Sequence, residues 1–159
     1  MTRAHPGDAP PPDGQGTVPT DVHGPVPTDV HGTARFRDAT GWQEVGGYSR
    51  AVRRGDTVVV SGTTATGPDG AALHPGDTYA QTVECLERVL AAVSALGGTD
   101  RDVVRTRVLL APGASWQEAT RAHGERMAAV LPANTTVYVG GLIGDGFLVE
   151  VEAEAVLAP

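Results

Sequence analysis

Three glutamates near the end of the chain have the spacing best suited to acid–base chemistry. Within the predicted strand 147–156, residues 149–155 alternate apolar and acidic side chains, the period of two that is typical of a β-strand with unlike faces. Glu150, Glu152 and Glu154 therefore share one face. Two interpretations of that face stay open. Either solvent covers it, as in many antiparallel sheets, or other subunits cover it, and desolvation then raises the pKa of a glutamate beside a cleft.

A histidine and a cysteine are the other reactive side chains of interest. His123 lies in a predicted helix, where it is either a general acid or base or a partly buried structural histidine. Cys85 is the single cysteine, and its place beside Leu86 in another predicted helix favours a buried, inert thiol. One cysteine allows neither an intramolecular disulfide nor a thiolate metal cage.

The charged side chains exclude several function classes. All twelve basic residues are arginine, which excludes a catalytic lysine, a pyridoxal phosphate anchor and a P-loop. The net charge of -7 opposes binding to a nucleic-acid backbone. No apolar run approaches the roughly 18 residues of a membrane helix, and the first residues lack the apolar core of a signal peptide. The sequence predicts a soluble cytoplasmic protein without nucleic-acid or membrane partners, metal or cofactor.

Composition divides the chain into a tail, residues 1–33, and a domain, residues 34–159. The tail holds seven of the twelve prolines and no aromatic residue, leucine or isoleucine, so it is predicted to be disordered. Within it, Val-Pro-Thr-Asp-Val-His-Gly occurs twice. Its histidines, His23 and His31, are candidates for weak metal binding, but the pattern favours a duplicated linker.

Periodicity from residue 42 onward predicts the elements that position these side chains, in the order ββαβαββ. The predicted strands cover residues 48–53, 57–61, 103–110, 135–139 and 147–156, and the helices cover 79–96 and 116–131. Capping boxes are predicted at Thr78 with Gln81 and at Ser115 with Glu118. Two helices can cover only one face of such a sheet, so we expect an α+β domain with one sheet and both helices on one side.

Five stretches of the domain, in order along the chain, resemble one known family. They are Gly47-Tyr-Ser-Arg-Ala-Val-Arg53, Gly55-Asp-Thr-Val-Val-Val-Ser-Gly62, Gly97-Gly98 with Val103-Val-Arg-Thr-Arg-Val108, Pro132-Ala-Asn-Thr-Thr-Val137 and Leu148-Val-Glu-Val-Glu-Ala153. Over residues 42–158 the chain resembles the Rid family (RidA/YjgF), the reactive-intermediate deaminases. The resemblance implies the chorismate-mutase-like fold and a homotrimer with clefts between subunits. It also accounts for the glutamate face, because the sheets of that trimer face inward.

The resemblance also implies a set of site residues. Deaminases of this family hydrolyse enamines and imines such as 2-aminoacrylate, and need only a positioned water and a proton relay, without metal or cofactor. Glu150 matches the glutamate that handles the water or proton. Tyr48 matches a tyrosine of the cleft, and Thr136 matches a position whose backbone helps to hold water or substrate.

The arginine with which those deaminases bind the substrate carboxylate is absent here, and Asn134 stands in its place. A neutral, shorter amide cannot repeat a charged bidentate contact. Arg50, Arg107 and Arg121 are candidates to reach the cleft instead, or are ion-pair partners at the surface. The resemblance thus implies a subgroup for which deamination of 2-aminoacrylate does not follow.

Three functions remain open from the sequence. The first is an enzyme acting on a reactive imine, enamine or related carbonyl compound, by deamination or by tautomerisation, cyclisation or condensation in a specialised pathway. The second is a non-catalytic, metabolite-binding or regulatory trimer. The third, ribonuclease activity, is disfavoured because residues 34–159 carry fifteen acids against eleven arginines.

Overall fold

The computed structural model describes residues 27–38 and 41–158 of the chain. Most of the predicted tail, including the first copy of the repeat and His23, lies outside the described residues. His31 lies within them and is exposed, and its backbone N–H donates to Asp29 Oδ1 at 2.9 Å.

One six-stranded sheet forms the centre of the molecule. Its strands are β1 Thr33–Phe36, β2 Ala51–Arg54, β3 Thr57–Thr64, β4 Val103–Leu110, β5 Ala133–Tyr138 and β6 Val149–Val156. They lie in the order β1-β2-β3-β6-β4-β5, and all neighbours are antiparallel except β4 and β5. A parallel pair needs a crossover connection, and here a helix between β4 and β5 provides it.

The two long helices, α2 Thr78–Ala95 and α3 Trp116–Met127, lie on one face of this sheet. A short helix, α1 Trp42–Gly46, precedes β2, and a 3₁₀ turn lies at Asp100–Asp102. The apolar side chains of β6, from Val149 to Ala155, are buried in the core with the inner side of α2. The α+β fold with one sheet and two long helices on one side is therefore confirmed. None of the helices in the described residues is long and apolar enough to cross a membrane.

Two short elements were missed by the periodicity. The strand β1 has four residues and the helix α1 has five, and segments of that length show too little of any repeat to be recognised. The helix α1 ends at Gly47, whose φ of 65° is in the left-handed region that favours glycine at a helix C-terminus. This short helix leads the chain directly toward Tyr48.

The predicted capping box at Thr78 and Gln81 is wrong. Asp77 caps α2 instead, and its side chain accepts from the Ala80 N–H at 2.9 Å. The Gln81 side chain is fully buried and joins α2 to the start of β6. Its Nε2 donates to the Gly146 carbonyl at 2.9 Å, and its Oε1 accepts from the Leu148 N–H at 2.8 Å. At α3 one half of the predicted capping box is present, since Ser115 Oγ accepts from the Glu118 N–H at 3.3 Å. The reciprocal half is not, because the Ser115 N–H donates to Thr78 Oγ1 at 3.1 Å.

Cys85 lies in the core, where its Sγ contacts the Val149 carbonyl at 3.6 Å. Burial raises the pKa of this thiol to about 12, so it carries no thiolate at neutral pH. The structure agrees with the prediction of an inert thiol.

Candidate functional site

Glu150 lies near the middle of the sheet, on the face that the helices leave open. It is paired with Thr64 on β3 and with Leu109 on β4. The carboxylate rests on Gly62, because a Cβ added there would overlap Glu150 Oε1 and lie 2.8 Å from its Cδ. Only glycine leaves room for the carboxylate in this position.

The environment of Glu150 favours its neutral form. Partial burial is the largest cause that raises the pKa of this carboxyl, and the negative charge of Glu152 raises it further, while Arg50 acts in the opposite direction. Within the described part of the chain, the carboxylate has no hydrogen-bond or ion-pair partner. A carboxyl with a raised pKa and free oxygens is suited to exchanging a proton with a bound molecule.

The other two glutamates of this face are paired with arginines of β4. Arg107 Nη1 lies 2.9 Å from Glu152 Oε2, and Arg105 Nη1 lies 3.7 Å from Glu154 Oε1. Both pairs are substantially exposed. The candidate Arg107 therefore shares the open face with Glu150, but its charge is engaged by Glu152.

Arg121 lies on α3, on the other side of the sheet from Glu150. Its guanidinium contacts Glu118 at 2.7 Å and Glu125 at 3.4 Å, and it stacks over the Tyr79 ring at 3.8 Å from the centroid. These contacts make it part of an exposed cluster on the helices. The structure does not bring it together with Glu150 in one protomer.

Asn134, Thr136 and His123 form one hydrogen-bonded network around Thr106, also on the helix side. Thr106 and Asn134 are neighbours on the parallel strands β4 and β5. Asn134 Nδ2 donates to Thr106 Oγ1 at 3.0 Å, Thr136 Oγ1 donates to Asn134 Oδ1 at 2.9 Å, and Thr106 Oγ1 lies 2.8 Å from His123 Nε2. Three of the predicted site residues thus meet at the outer edge of the sheet.

The donors of this network can be assigned from its chemistry. Thr106 Oγ1 accepts from the Asn134 amide, so its own hydrogen is available for His123 Nε2. The imidazole is then neutral, with its proton on Nδ1. Burial lowers the pKa of His123, which agrees with the neutral form. The network offers polar but uncharged groups.

Tyr48 follows α1 at the start of the segment that leads into β2. Its ring packs close to Gly46, where a Cβ would lie 2.9 Å from the Tyr48 Cδ1. The side chain remains 39% exposed, so the ring is available to a ligand or a neighbouring subunit. Two residues further on, Arg50 reaches Gly62 under Glu150.

Arg50 and Gly62 are site residues that the sequence did not identify as contacting each other beside Glu150. Arg50 was expected at a surface or interface, yet it is 8% exposed and its Nη1 donates to the Gly62 carbonyl at 2.6 Å. Gly62 ends the second of the five recognised stretches, and this was the available signal. The contact itself depends on a strand pairing that spacing alone does not reveal.

A family model described as endoribonuclease L-PSP matches residues 40–157 of the chain. An uncharacterized protein of Streptomyces coelicolor, SCO2049, is 38% identical over 121 residues, which are 76% of this chain and 90% of that protein. The 2-iminobutanoate/2-iminopropanoate deaminase of Mus musculus is 30% identical over 115 residues, or 72% of this chain and 84% of the enzyme.

A solved structure shows the same fold. It is Rv2704 of Mycobacterium tuberculosis, described as a member of the YjgF/YER057c/UK114 family. It is 36% identical, with a TM-score of 0.70, and the match covers 79% of this chain and 99% of that one. The similarity therefore includes nearly all of the described domain.

Proposed function

Because the chain belongs to the YjgF/RidA family, we propose that it is an enzyme acting on a reactive imine, enamine or related carbonyl intermediate. Glu150 serves as its general acid and base. The observation that carries this proposal is the Glu150 carboxyl itself, which rests on Gly62 with a raised pKa and without a hydrogen-bond partner in the described residues. The mouse relative, named as an iminobutanoate deaminase, supports the class of substrate.

The proposed chemistry needs one proton donor and one positioned water. For an imine, protonated Glu150 gives its proton to the nitrogen, and the resulting carboxylate takes a proton from the water that bonds to the carbon. The carbon–nitrogen bond then breaks, leaving a carbonyl compound and ammonia. For an enamine, the same proton goes first to carbon, so tautomerisation, cyclisation or condensation is open to the same group.

The network around Asn134 favours a substrate whose end next to this network is uncharged. Beyond its bonds to Thr106 and Thr136, the Asn134 amide has one lone pair on Oδ1 and a second N–H whose nitrogen lies at a long 3.5 Å from His123 Nε2. These suit a carbonyl, hydroxyl or amide better than a carboxylate, which prefers a charged fork. We therefore propose that deamination of 2-aminoacrylate is not the main reaction.

We propose a homotrimer with the open sheet face at the subunit contacts. Glu150 and Asn134 lie on opposite faces of the sheet within one protomer, so a single protomer does not place them around one ligand. A cleft between two protomers would let the open face of one meet the outer edge of its neighbour. The site would then be complete only in the assembly.

Replacing Glu150 with glutamine tests the proposed function. Imines and enamines generated in the assay, with and without a carboxylate, are monitored for loss and for product. We expect E150Q to lower turnover by about 10²- to 10⁴-fold, the range of general acid–base catalysis. The matched control is E154Q, four residues along the same face, which should retain most turnover because Glu154 is not among the charges that shift the pKa of Glu150. If E150Q leaves every turnover unchanged, the assignment is wrong.

The alternative is a trimer that binds a metabolite without transforming it. The absence of a charged group in the Asn134 network favours this alternative, because neutral contacts alone give orientation but little polarisation. It predicts saturable binding with no product after prolonged incubation, measured by mass spectrometry. Any catalytic product that disappears in E150Q excludes it.

Endoribonuclease activity is named in the description of the matching family. The ion pairs of the open face disfavour it here, because Arg105 and Arg107 are engaged by glutamates of β6. An acidic domain whose arginines on this face are paired gives RNA little to bind there. Intact RNA after incubation with the metal-free protein is the expected result.

A further inference from the structure

Arg50 is a buried cation beside the proposed site, and the chemistry described above makes no use of it. Its side chain is 10% exposed. The Nε donates to Asp38 Oδ2 at 2.7 Å, while Nη1 donates to the Gly62 carbonyl at 2.6 Å and to Thr63 Oγ1 at 3.0 Å. A buried guanidinium is tolerated when its charge is paired and its donors are satisfied. These contacts therefore hold it in one orientation.

The contacts of Arg50 are concentrated on an irregularity in β3. The register between β3 and β6 shifts between Val60 and Thr63, so Ser61 and Gly62 form a bulge. A bulge takes backbone groups out of the regular ladder, and these then need other partners. Arg50 supplies one such partner, because its side chain bonds the Gly62 carbonyl. Its own carbonyl continues the β2–β3 ladder by accepting from the Ser61 N–H at 2.9 Å.

The Gly62 peptide, which Arg50 holds, is also the one on which the Glu150 carboxylate rests. Because no side-chain atom fits between Gly62 and the Glu150 carboxylate, a movement of this peptide changes the space that the carboxylate occupies. Arg50 thus contacts Glu150 indirectly, through Gly62. No described hydrogen bond or ion pair of Glu150 offers another way to hold the carboxylate in place.

We propose that Arg50 is a positioning residue, which fixes the Gly62 bulge and through it the Glu150 carboxylate. This inference rests on the proposed function of Glu150. The positive charge of Arg50 has a second consequence, since it opposes the effects of burial and of Glu152 on the pKa of Glu150. On β4, Arg107 is engaged by Glu152, so these are the charges that act on the carboxyl from the adjoining elements.

Two variants separate position from charge. R50K keeps the positive charge but cannot repeat contacts to both Asp38 and Gly62, and R50M removes both charge and contacts. The matched control is R53K on the same strand segment, whose side chain bonds the carbonyls of Gly55 and Leu96 instead. Thermal unfolding of each variant is recorded first.

The first readout is the ionisation of Glu150, followed by carboxyl ¹³C NMR of the intact protein and assigned with E150Q. We expect R50M to raise the midpoint, because it removes the positive charge that favours the ionised carboxylate. We expect R50K to shift the Gly62 amide resonance while changing the midpoint less. R53K should change neither.

The second readout is turnover of whichever imine the wild-type protein consumes. We expect R50K to lower kcat about tenfold with KM within about twofold, because misplacing a catalytic group costs rate more than binding. If R50K and R50M keep the wild-type midpoint, Gly62 resonance and kcat, the proposal is wrong.

Two further measurements cover the case in which an Arg50 variant does not fold. G62A displaces the Glu150 carboxylate directly without touching Arg50, so it gives the loss of kcat to expect from a misplaced carboxylate and does not itself test Arg50. In the wild-type protein, we expect the Arg50 guanidinium protons to exchange slowly with solvent. Fast exchange would contradict the proposal that Arg50 is fixed on the Gly62 bulge. Failure of the proposed function is seen separately, because E150Q would then retain turnover while the NMR results still decide the role of Arg50.

Discussion

Glu150, Glu152 and Glu154 are the same residue type on the same strand face, and their neighbours make them chemically different. Glu152 and Glu154 face arginines of β4, whereas Glu150 rests on a glycine and has its pKa raised by partial burial. The alternation that identified the face could not separate the three. Two of the three glutamates are thus paired and exposed, and the third is partly desolvated within one protomer. The interpretation in which other subunits cover the face stays a prediction.

The raised pKa of Glu150 predicts a stability that depends on pH. Its ordinary pKa is about 4.3, and a carboxyl raised above that value stabilises the fold in its protonated form. This contribution is fully present below the unfolded-state pKa and is lost as pH rises through the folded-state pKa. E150Q should therefore gain stability relative to wild type as the pH rises from the ordinary pKa of a glutamate through the raised pKa of Glu150 in the folded protein. Denaturant unfolding at several pH values measures this, and a difference independent of pH contradicts it.

Asn134 predicts a substrate preference that one substitution should change. N134R restores a charged fork at the exposed edge of the sheet, and turnover of 2-aminoacrylate should rise by about ten- to hundredfold. That range corresponds to the roughly 1.5–3 kcal/mol of a charge-assisted hydrogen bond. N134K, a point charge without the fork, should gain less. A folded N134R variant with no gain in kcat/KM would refute the role given to this position.

At the scale of elements, most of the architecture was predictable because long segments repeat their pattern several times. The helix α2 has eighteen residues and β6 has eight, so errors at single positions do not hide the period. The four residues of β1 and five of α1 offer no such repetition. The sequence assigned Gln81 to a capping box because a polar residue near the start of a helix can either cap that helix or contact another element. Spacing alone does not distinguish the two.

Gln81 now predicts an effect on the loop before β6. Q81M keeps the volume but removes the partner of the Gly146 carbonyl and of the Leu148 N–H, two partly buried hydrogen bonds that contribute about 0.5–1.5 kcal/mol each. We expect a loss of roughly 1–3 kcal/mol in the free energy of unfolding, with faster hydrogen exchange at the start of β6. Q117M, on the exposed side of α3, should change stability little. If Q81M and Q117M lower the free energy of unfolding equally, the role of Gln81 in joining α2 to β6 is wrong.

At the scale of the whole molecule, the open sheet face has apolar side chains that remain exposed in a single protomer. Val59 is 50% exposed and Val156 is 44% exposed there, beside the ion pairs of β4 with β6. The proposed homotrimer would cover them. Covering this face would also desolvate Glu150 further and complete the site.

An aspartate at Val59 should therefore weaken the assembly. Placing an unpaired charge in a contact costs free energy that the apolar side chain did not. We expect V59D to shift the wild-type trimer toward the monomer mass in light scattering and to lower turnover with it. V30D, at a side chain that is 94% exposed, is the control. A trimer unchanged by V59D, or a wild-type monomer, would overturn this surface assignment.

By itself, the sequence determined the class of fold, the family, the glutamate face and the loss of the family arginine at Asn134. These follow from local periodicity and from residue types at fixed spacings, which need no knowledge of what lies across the sheet. Only the tertiary structure decided that Glu150 rests on Gly62, that Arg50 is buried beneath that bulge, and that His123 reaches Asn134 through Thr106. Each of these contacts joins residues far apart in the chain, because strand register and helix packing, not spacing, set the neighbours of a side chain.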